Sequence, residues 1–132
     1  MEYTIKQAAE KMHLTAYTLR YYDKEGLLPF VVRDSSGNRL FTDNDIEWLG
    51  LICCLKNTGM PIRQIKEFIQ GALEGDHTLE SRLEMLIQHR KDVLRQIEEL
   101  NKNLEKINWK IDYYGGCFEK YKKQKKQLNQ AN

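Results

Sequence analysis

The chain has 132 residues with 21 Lys and Arg against 19 Asp and Glu, so it is no general polycation, and at 41% apolar residues it is no simple disordered chain either. Its length gives one ordinary domain, or a small domain with an extension. No secretory apolar segment follows Met1, no stretch is long enough to cross a bilayer, and an odd count of three cysteines points to free thiols in a reducing cytoplasm.

Thr4 and Gln7 have capping-box spacing, which predicts a helix running to about Met12 with Ile5, Ala8, Ala9 and Met12 on its core side. His13 and Leu14 make a turn, and Thr15 caps a second short helix through its hydroxyl. On that helix Leu19 and Tyr22 face the core, while Tyr17, Arg20 and Tyr21 stay outside. Gly26 suits the left-handed position that ends a helix, and Pro29 prevents a restart. Phe30–Arg33, a polar turn at Asp34–Asn38, and Arg39–Phe41 form a strand, turn and strand that must pack on the helices to be stable. Two helices joined by a tight turn and followed by a hairpin make a winged helix-turn-helix, whose second helix suits a DNA groove.

Thr42 caps a third helix, with Asp43 and Asp45 favourable in its first turn. That helix, to about Thr58, is apolar nearly all round, so it packs on two sides. Gly59 closes it, Pro61 opens a fourth helix through Gln70, and residues 71–77 form a linker. From Leu79 onward, Leu83, Leu86, Arg90, Val93, Ile97, Leu100, Leu104, Ile107, Ile111 and Tyr114 step by four and three. This is a heptad seam with one polar intruder, Arg90, on a helix over 78–114. At 1.5 Å per residue that helix is about 55 Å long, and its seam needs a partner helix. Gly115-Gly116 ends it, leaving 115–132 as a flexible basic tail with five lysines and one glutamate. Residues 1–70 balance nine cations against nine anions. DNA binding there would depend on a few well-placed cations and not on a large field.

Three blocks carry a family resemblance: Leu19-Arg20-Tyr21-Tyr22-Asp23 with Gly26-Leu27, the wing close Asn38-Arg39-Leu40-Phe41, and Leu55-Lys56 with Gly59. In this order they resemble the MerR family of bacterial transcription regulators over residues 1 to about 114. The resemblance implies a mainly α fold: a winged helix-turn-helix DNA-binding domain over 1–70, followed by a long dimerising coiled-coil helix that pairs antiparallel. It implies a homodimer on double-stranded, pseudo-palindromic promoter DNA. It also implies distortion of an over-long promoter spacer, through which RNA polymerase is engaged indirectly. Carried over by position, Thr15, Tyr17 and Arg20 lie at the major groove, and Tyr21, Tyr22, Arg33, Arg39 and Lys56 hold phosphates. Arginine can read guanine bidentately, and tyrosine hydroxyls and lysine can clamp the backbone, so the chemistry agrees. For Tyr21 and Tyr22 a second reading stands beside this one, as half-buried core aromatics.

Departures from the family are informative. Only 18 residues follow the seam, too few for an effector domain, and Cys117 has no second thiol or histidine near it in sequence. No metal or other cofactor is expected, and no enzymatic motif appears. The chain resembles short members without an effector domain, several of which carry a cysteine in the third helix implicated in sensing reactive carbonyls. Cys54 aligns with it, and its modification would enlarge a packed residue. Cys53 is filler on this reading, and Cys117 is a candidate for an intermolecular disulfide with Cys54. Two other readings remain open at this point, a non-activating architectural or excision-type DNA-binding factor and a coiled-coil adaptor.

Overall fold

The computed structural model describes residues 1–131. Helix α1 (Ile5–Lys11) starts in a complete capping box. The Gln7 amide donates to the Thr4 hydroxyl at 3.2 Å, and the Thr4 amide donates to Gln7 Oε1 at 2.9 Å. The chain turns at His13, whose φ of 56° is the one left-handed non-glycine among the described residues. Helix α2 (Ala16–Lys24) begins where the Thr15 hydroxyl accepts from the Thr18 amide at 3.1 Å. It buries Leu19 and Tyr22, as their spacing predicts. Gly26, at φ 81°, ends the turn that follows and lets the Leu27 amide reach the Tyr22 carbonyl at 2.9 Å.

Strands β1 (Glu2–Tyr3), β2 (Val32–Arg33) and β3 (Arg39–Thr42) form an antiparallel sheet in the order β1-β3-β2. The wing is therefore a three-stranded sheet. The sequence reading gave it only two strands, because a two-residue strand has no periodicity of its own. Strand β1 exists through its pairing of Tyr3 with Phe41. The Tyr3 hydroxyl donates to Asp43 Oδ1 at 2.8 Å, which ties β1 to the helix that follows β3. This hydrogen bond, more than any other influence, holds the Asp43 carboxyl below its ordinary range.

Helix α3 (Asp43–Asn57) opens in a second capping box, between Thr42 and the buried Asp45. Helix α4 (Ile62–Glu74) follows Pro61 and turns Ile65, Phe68 and Ile69 inward at helical spacing. The largest fully buried side chains, Leu19, Leu27, Phe41, Leu49, Ile52 and Ile65, come from α2, the segment after it, β3, α3 and α4. One core thus fixes the reader helix, the wing and both following helices together. Burial of each such side chain stabilises by about 1.5–3 kcal/mol.

Two boundaries differ from the sequence reading. The expected linker at 71–77 is mostly helical, since α4 continues through Gly71 to Glu74 and a single 3-10 turn at Asp76–Thr78 follows. The break falls at Gly75, with φ 116°. The long helix α5 then runs Leu79–Ala131, through Gly115-Gly116 and not up to it, so the expected flexible tail is helix to Ala131. Neither glycine has a positive φ. A mid-helix glycine costs about 1 kcal/mol against alanine, which weakens a helix without ending it. The residues that follow, rich in lysine and glutamine, favour helix. Met1–His89 form one compact unit, and α5 from Arg90 onward belongs to a second. No helix among the described residues is long and apolar enough to cross a membrane.

An alanine at Gly115 or Gly116 would meet no other atom within 4 Å. Gly115→Ala with Gly116→Ala is therefore expected to raise helicity and stability, by about 1 kcal/mol per site. Thermal unfolding followed by far-UV circular dichroism checks this. A lower melting temperature would mean that the glycines cap the helix in a left-handed conformation.

Candidate nucleic-acid interface

Helix α2 presents its polar face outward. Tyr17 is 79% exposed and Tyr21 41%, with Arg20 exposed between them and Leu19 wholly buried beneath. Tyr17 and Tyr21 are four residues apart and share a face with Arg20. Thr15 stands at the helix start, its hydroxyl engaged by the Thr18 amide and 2.9 Å from the Thr18 hydroxyl.

The wing is rigid at its tip. Asp34 Oδ1 accepts from the Ser36 amide at 2.9 Å and the Asn38 amide at 2.8 Å, and Gly37 takes a φ of 82° that favours glycine. Strand register sets Arg33 directly opposite Arg39, a like-charge pair that would destabilise the hairpin if left alone. Asp23, from the last turns of α2, resolves it. Arg39 Nε and Nη2 both donate to Asp23 Oδ2, at 2.8 and 2.6 Å, and Arg33 Nη2 lies 3.5 Å from the same oxygen. Arg33 also donates to the Gly37 carbonyl at 2.9 Å. The two wing arginines are thus tied to the reader helix. The sequence reading, which gave both as phosphate contacts, did not anticipate this shared partner. Arg39 is the more committed, with its side chain only 20% exposed against 53% for Arg33.

Tyr22 lies on the inner side of α2. It is buried at 6% exposure and packs as a core aromatic, the second reading that the sequence left open. Burial pushes the Tyr22 hydroxyl above its ordinary range, as it does the Cys53 thiol, which the Tyr22 hydrogen bond partly offsets. The adjacent thiols differ sharply, because one residue rotates a helix by about 100°. Cys53 packs against the core while Cys54 is exposed, so modification of Cys54 would not overpack this unit as the sequence reading supposed. Lys56, half-buried in the last turn of α3, sits where the helix end favours a cation.

Two residues that the sequence reading missed also shape the site. Asp23 is the brace, signalled only by a carboxylate within the cationic block. Lys66 of α4 lies over Gly26, where an added Cβ would come within 2.9 Å of its Cε. Gly26 is favoured by its φ of 81°, whereas the flexible end of Lys66 could move aside for a larger residue. Among the described residues no group of three or more His, Cys, Asp or Glu could hold a metal ion.

A reader helix with an exposed Tyr–Arg–Tyr face, braced to a wing and followed by a long helix, defines a winged helix-turn-helix regulator. The chain belongs to the MerR family: the pattern of "MerR HTH family regulatory protein" matches residues 3–72, and "MerR, DNA binding" matches residues 46–109. An uncharacterised HTH-type transcriptional regulator of Haemophilus influenzae is 51% identical over 86% of this chain and 84% of its own. The crystal structure of HiNmlR, a MerR family regulator lacking the sensor domain and bound to promoter DNA, is also 51% identical. It matches with a TM-score of 0.81 over 86% of this chain and 90% of its own. A MerR family regulator from Listeria monocytogenes matches at 31% identity and a TM-score of 0.84, over 96% of both chains. These relatives are regulators, and the chain is a regulator and not an enzyme.

Asp23→Ala is expected to lower stability by about 1–3 kcal/mol, because it leaves Arg39 without its acceptor and restores the repulsion across the wing. Urea denaturation measures this, and a loss below about 0.3 kcal/mol would remove Asp23 as the brace. With iodoacetamide at pH 8, Cys54 is expected to react well ahead of Cys53, whose raised pKa and burial both lower its thiolate reactivity. Peptide mapping of the time course gives the order.

Proposed function

We propose that the protein is a cytoplasmic, homodimeric transcription regulator that binds double-stranded promoter DNA through α2 and the wing. The observation that carries this reading is the outward Tyr17–Arg20–Tyr21 face held to the wing by Asp23, in a chain 51% identical to a regulator crystallised on promoter DNA. In this reading Thr15, Tyr17 and Arg20 meet base edges in the major groove. Tyr21, Lys56 and the remaining donors of Arg33 hold phosphates. Arg39 and Tyr22 act from behind, one orienting the wing and the other packing the reader helix. The apolar seam of α5 over 78–114 pairs antiparallel with a second copy, and the pair spans two half-sites. Binding bends and undertwists an over-long spacer, so that RNA polymerase engages both promoter elements.

The exposed position of Cys54 supports a sensing role, because a small electrophile such as an aldehyde can reach it without opening the core. Its adduct would alter the outer surface of α3, where it could act on whatever packs there in the dimer. The test is DNA binding and in vitro transcription on the chain's own upstream promoter, with wild type, Arg20→Ala and Cys54→Ser, with and without an aldehyde panel. Arg20→Ala is expected to lose about 1–3 kcal/mol of specific binding, roughly 5- to 150-fold, while non-specific binding changes little. Wild type alone is expected to respond to the electrophile. Equal responses from wild type and Cys54→Ser would sink the thiol switch, and salt-insensitive or absent DNA binding would sink the regulator itself.

A further inference from the structure

Helix α5 meets the unit that carries the reader helix through a short stripe near its start. Arg82, Leu86 and His89, four and three residues apart, are each half-buried, whereas every residue from Leu94 to Ala131 is exposed. The first compact unit ends at His89 itself. Leu86 packs against the buried core of that unit. An apolar contact has no preferred direction, so it holds the helix close without fixing its tilt. Direction comes from two polar ties. At one end, Arg82 Nε donates to the Thr78 hydroxyl at 3.0 Å, and that hydroxyl lies 2.6 Å from the Gly71 carbonyl of α4. At the other, His89 Nε2 lies 2.7 Å from the Thr58 hydroxyl, which lies 2.7 Å from the Cys54 carbonyl in the last turn of α3. Hydrogen bonds weaken steeply away from linearity, so each tie constrains an angle as well as a distance.

We infer that the Thr58–His89 hydrogen bond is a latch that sets the tilt of α5 on the reader unit, and so makes the spacing between the two half-sites a selected property. This inference rests on the reading above of a dimer spanning two half-sites, and it names the residues that give that reading its spacing specificity. His89 acts in this role through α5 and not by contact with DNA, so it is a positioning residue.

Lever arithmetic gives the latch its scale. Arg82 and His89 lie about 10 Å apart along the helix axis. With the tie at Arg82 kept and the one at His89 opened, about 1 Å of play at His89 tilts the helix by about 6°. That tilt grows to about 3 Å at a point roughly 20 residues beyond Arg82. One base-pair step of DNA is about 3.4 Å, so the latch governs about one base pair of tolerance. The chemistry also separates the latch from the fold. The Thr58 hydroxyl keeps the Cys54 carbonyl as its acceptor when the imidazole is removed, so His89→Leu orphans no donor. The amide nitrogen of a glutamine reaches the place of the imidazole Nε2, so His89→Gln keeps a donor to the same hydroxyl.

The test is binding of the full-length protein to the duplex it protects on the chain's own upstream promoter. Further duplexes have one base pair added or removed between the half-sites, and one carries a single half-site. Wild type is expected to bind the altered spacings about tenfold more weakly than the native one, a penalty on the scale of one mismatched base pair. For His89→Leu and Thr58→Val the penalty is expected to shrink to about two- to threefold, a change within the worth of one hydrogen bond. The double variant is expected to shrink it no further, because the two residues form one contact. His89→Gln is expected to recover most of the penalty, and single half-site binding to stay within about twofold of wild type in every variant. Equal penalties in wild type and His89→Leu would overturn the latch. So would one uniform loss across native, altered and single half-site duplexes, which would leave His89 a residue of the fold alone. A wild type that binds all spacings alike would overturn instead the two-half-site reading on which the latch rests.

Discussion

The geometry of the proposed DNA-facing surface depends on one carboxylate oxygen. Asp23 Oδ2 receives two donors from Arg39 and lies within ion-pair distance of Arg33, joining the last turns of α2 to both strands of the wing hairpin. Without it, sheet register would place two arginines face to face across β2 and β3. With it, their repulsion becomes a three-charge bracket that fixes the wing relative to the reader helix. The arrangement lowers the number of freely available cations in a segment whose formal charge is already balanced. Attraction to the DNA backbone is then a matter of placement, and affinity depends on how accurately a few groups are held. A brace between reader and wing serves that requirement better than another loose arginine would.

What could be read from the sequence follows from how local the determinants are. The capping box at Thr4, the caps at Thr15 and Thr42, the left-handed Gly26 and the burial of Leu19 all depend on residues within four positions of one another, and all appear where the sequence places them. The failures are non-local or nearly balanced in energy. Strand β1 depends on a partner some forty residues away, and the partner of Arg39 lies sixteen residues away on another element. Nothing in the spacing of either segment encodes these meetings. Gly115-Gly116 failed for the other reason: two glycines cost a helix about 2 kcal/mol, a sum that the flanking residues and any partner helix can offset. Of the expected DNA ligands, Tyr17, Arg20 and Tyr21 are outward as read, while Tyr22 is buried and Arg39 pairs with Asp23.

The neighbouring thiols show how finely position on a helix divides chemical roles. Cys53 is held under the reader helix with a hydroxyl pointed at it, and burial keeps its thiol protonated to higher pH. Cys54, one step round the same helix, faces out. An accessible thiol can react with an electrophile but has few neighbours to push on within its own unit, whereas the buried one has neighbours but poor access. On the proposed reading, a switch at Cys54 needs a surface from another copy to feel the adduct.

Within the first unit, the end of α3 beside Cys54 is bonded to the start of α5. Thr58, the residue that ends α3, places its hydroxyl 2.7 Å from the Cys54 carbonyl and 2.7 Å from His89 Nε2 on α5. When the hydroxyl donates to the carbonyl, the imidazole must donate to the hydroxyl, so the Nε2-protonated tautomer is selected. At the other end of the same stretch of α5, Thr78 lies 2.6 Å from the Gly71 carbonyl and 2.8 Å from that of Gly75, and Arg82 Nε donates to it at 3.0 Å. An added Cβ at Gly71 would stand 3.4–3.5 Å from Thr78 and Arg82, in ordinary contact. The first three turns of α5 are thus pinned at both ends, to α4 and to the end of α3. On the proposed thiol-switch reading, a displacement of α3 beside Cys54 would strain the Thr58–His89 contact at the start of α5.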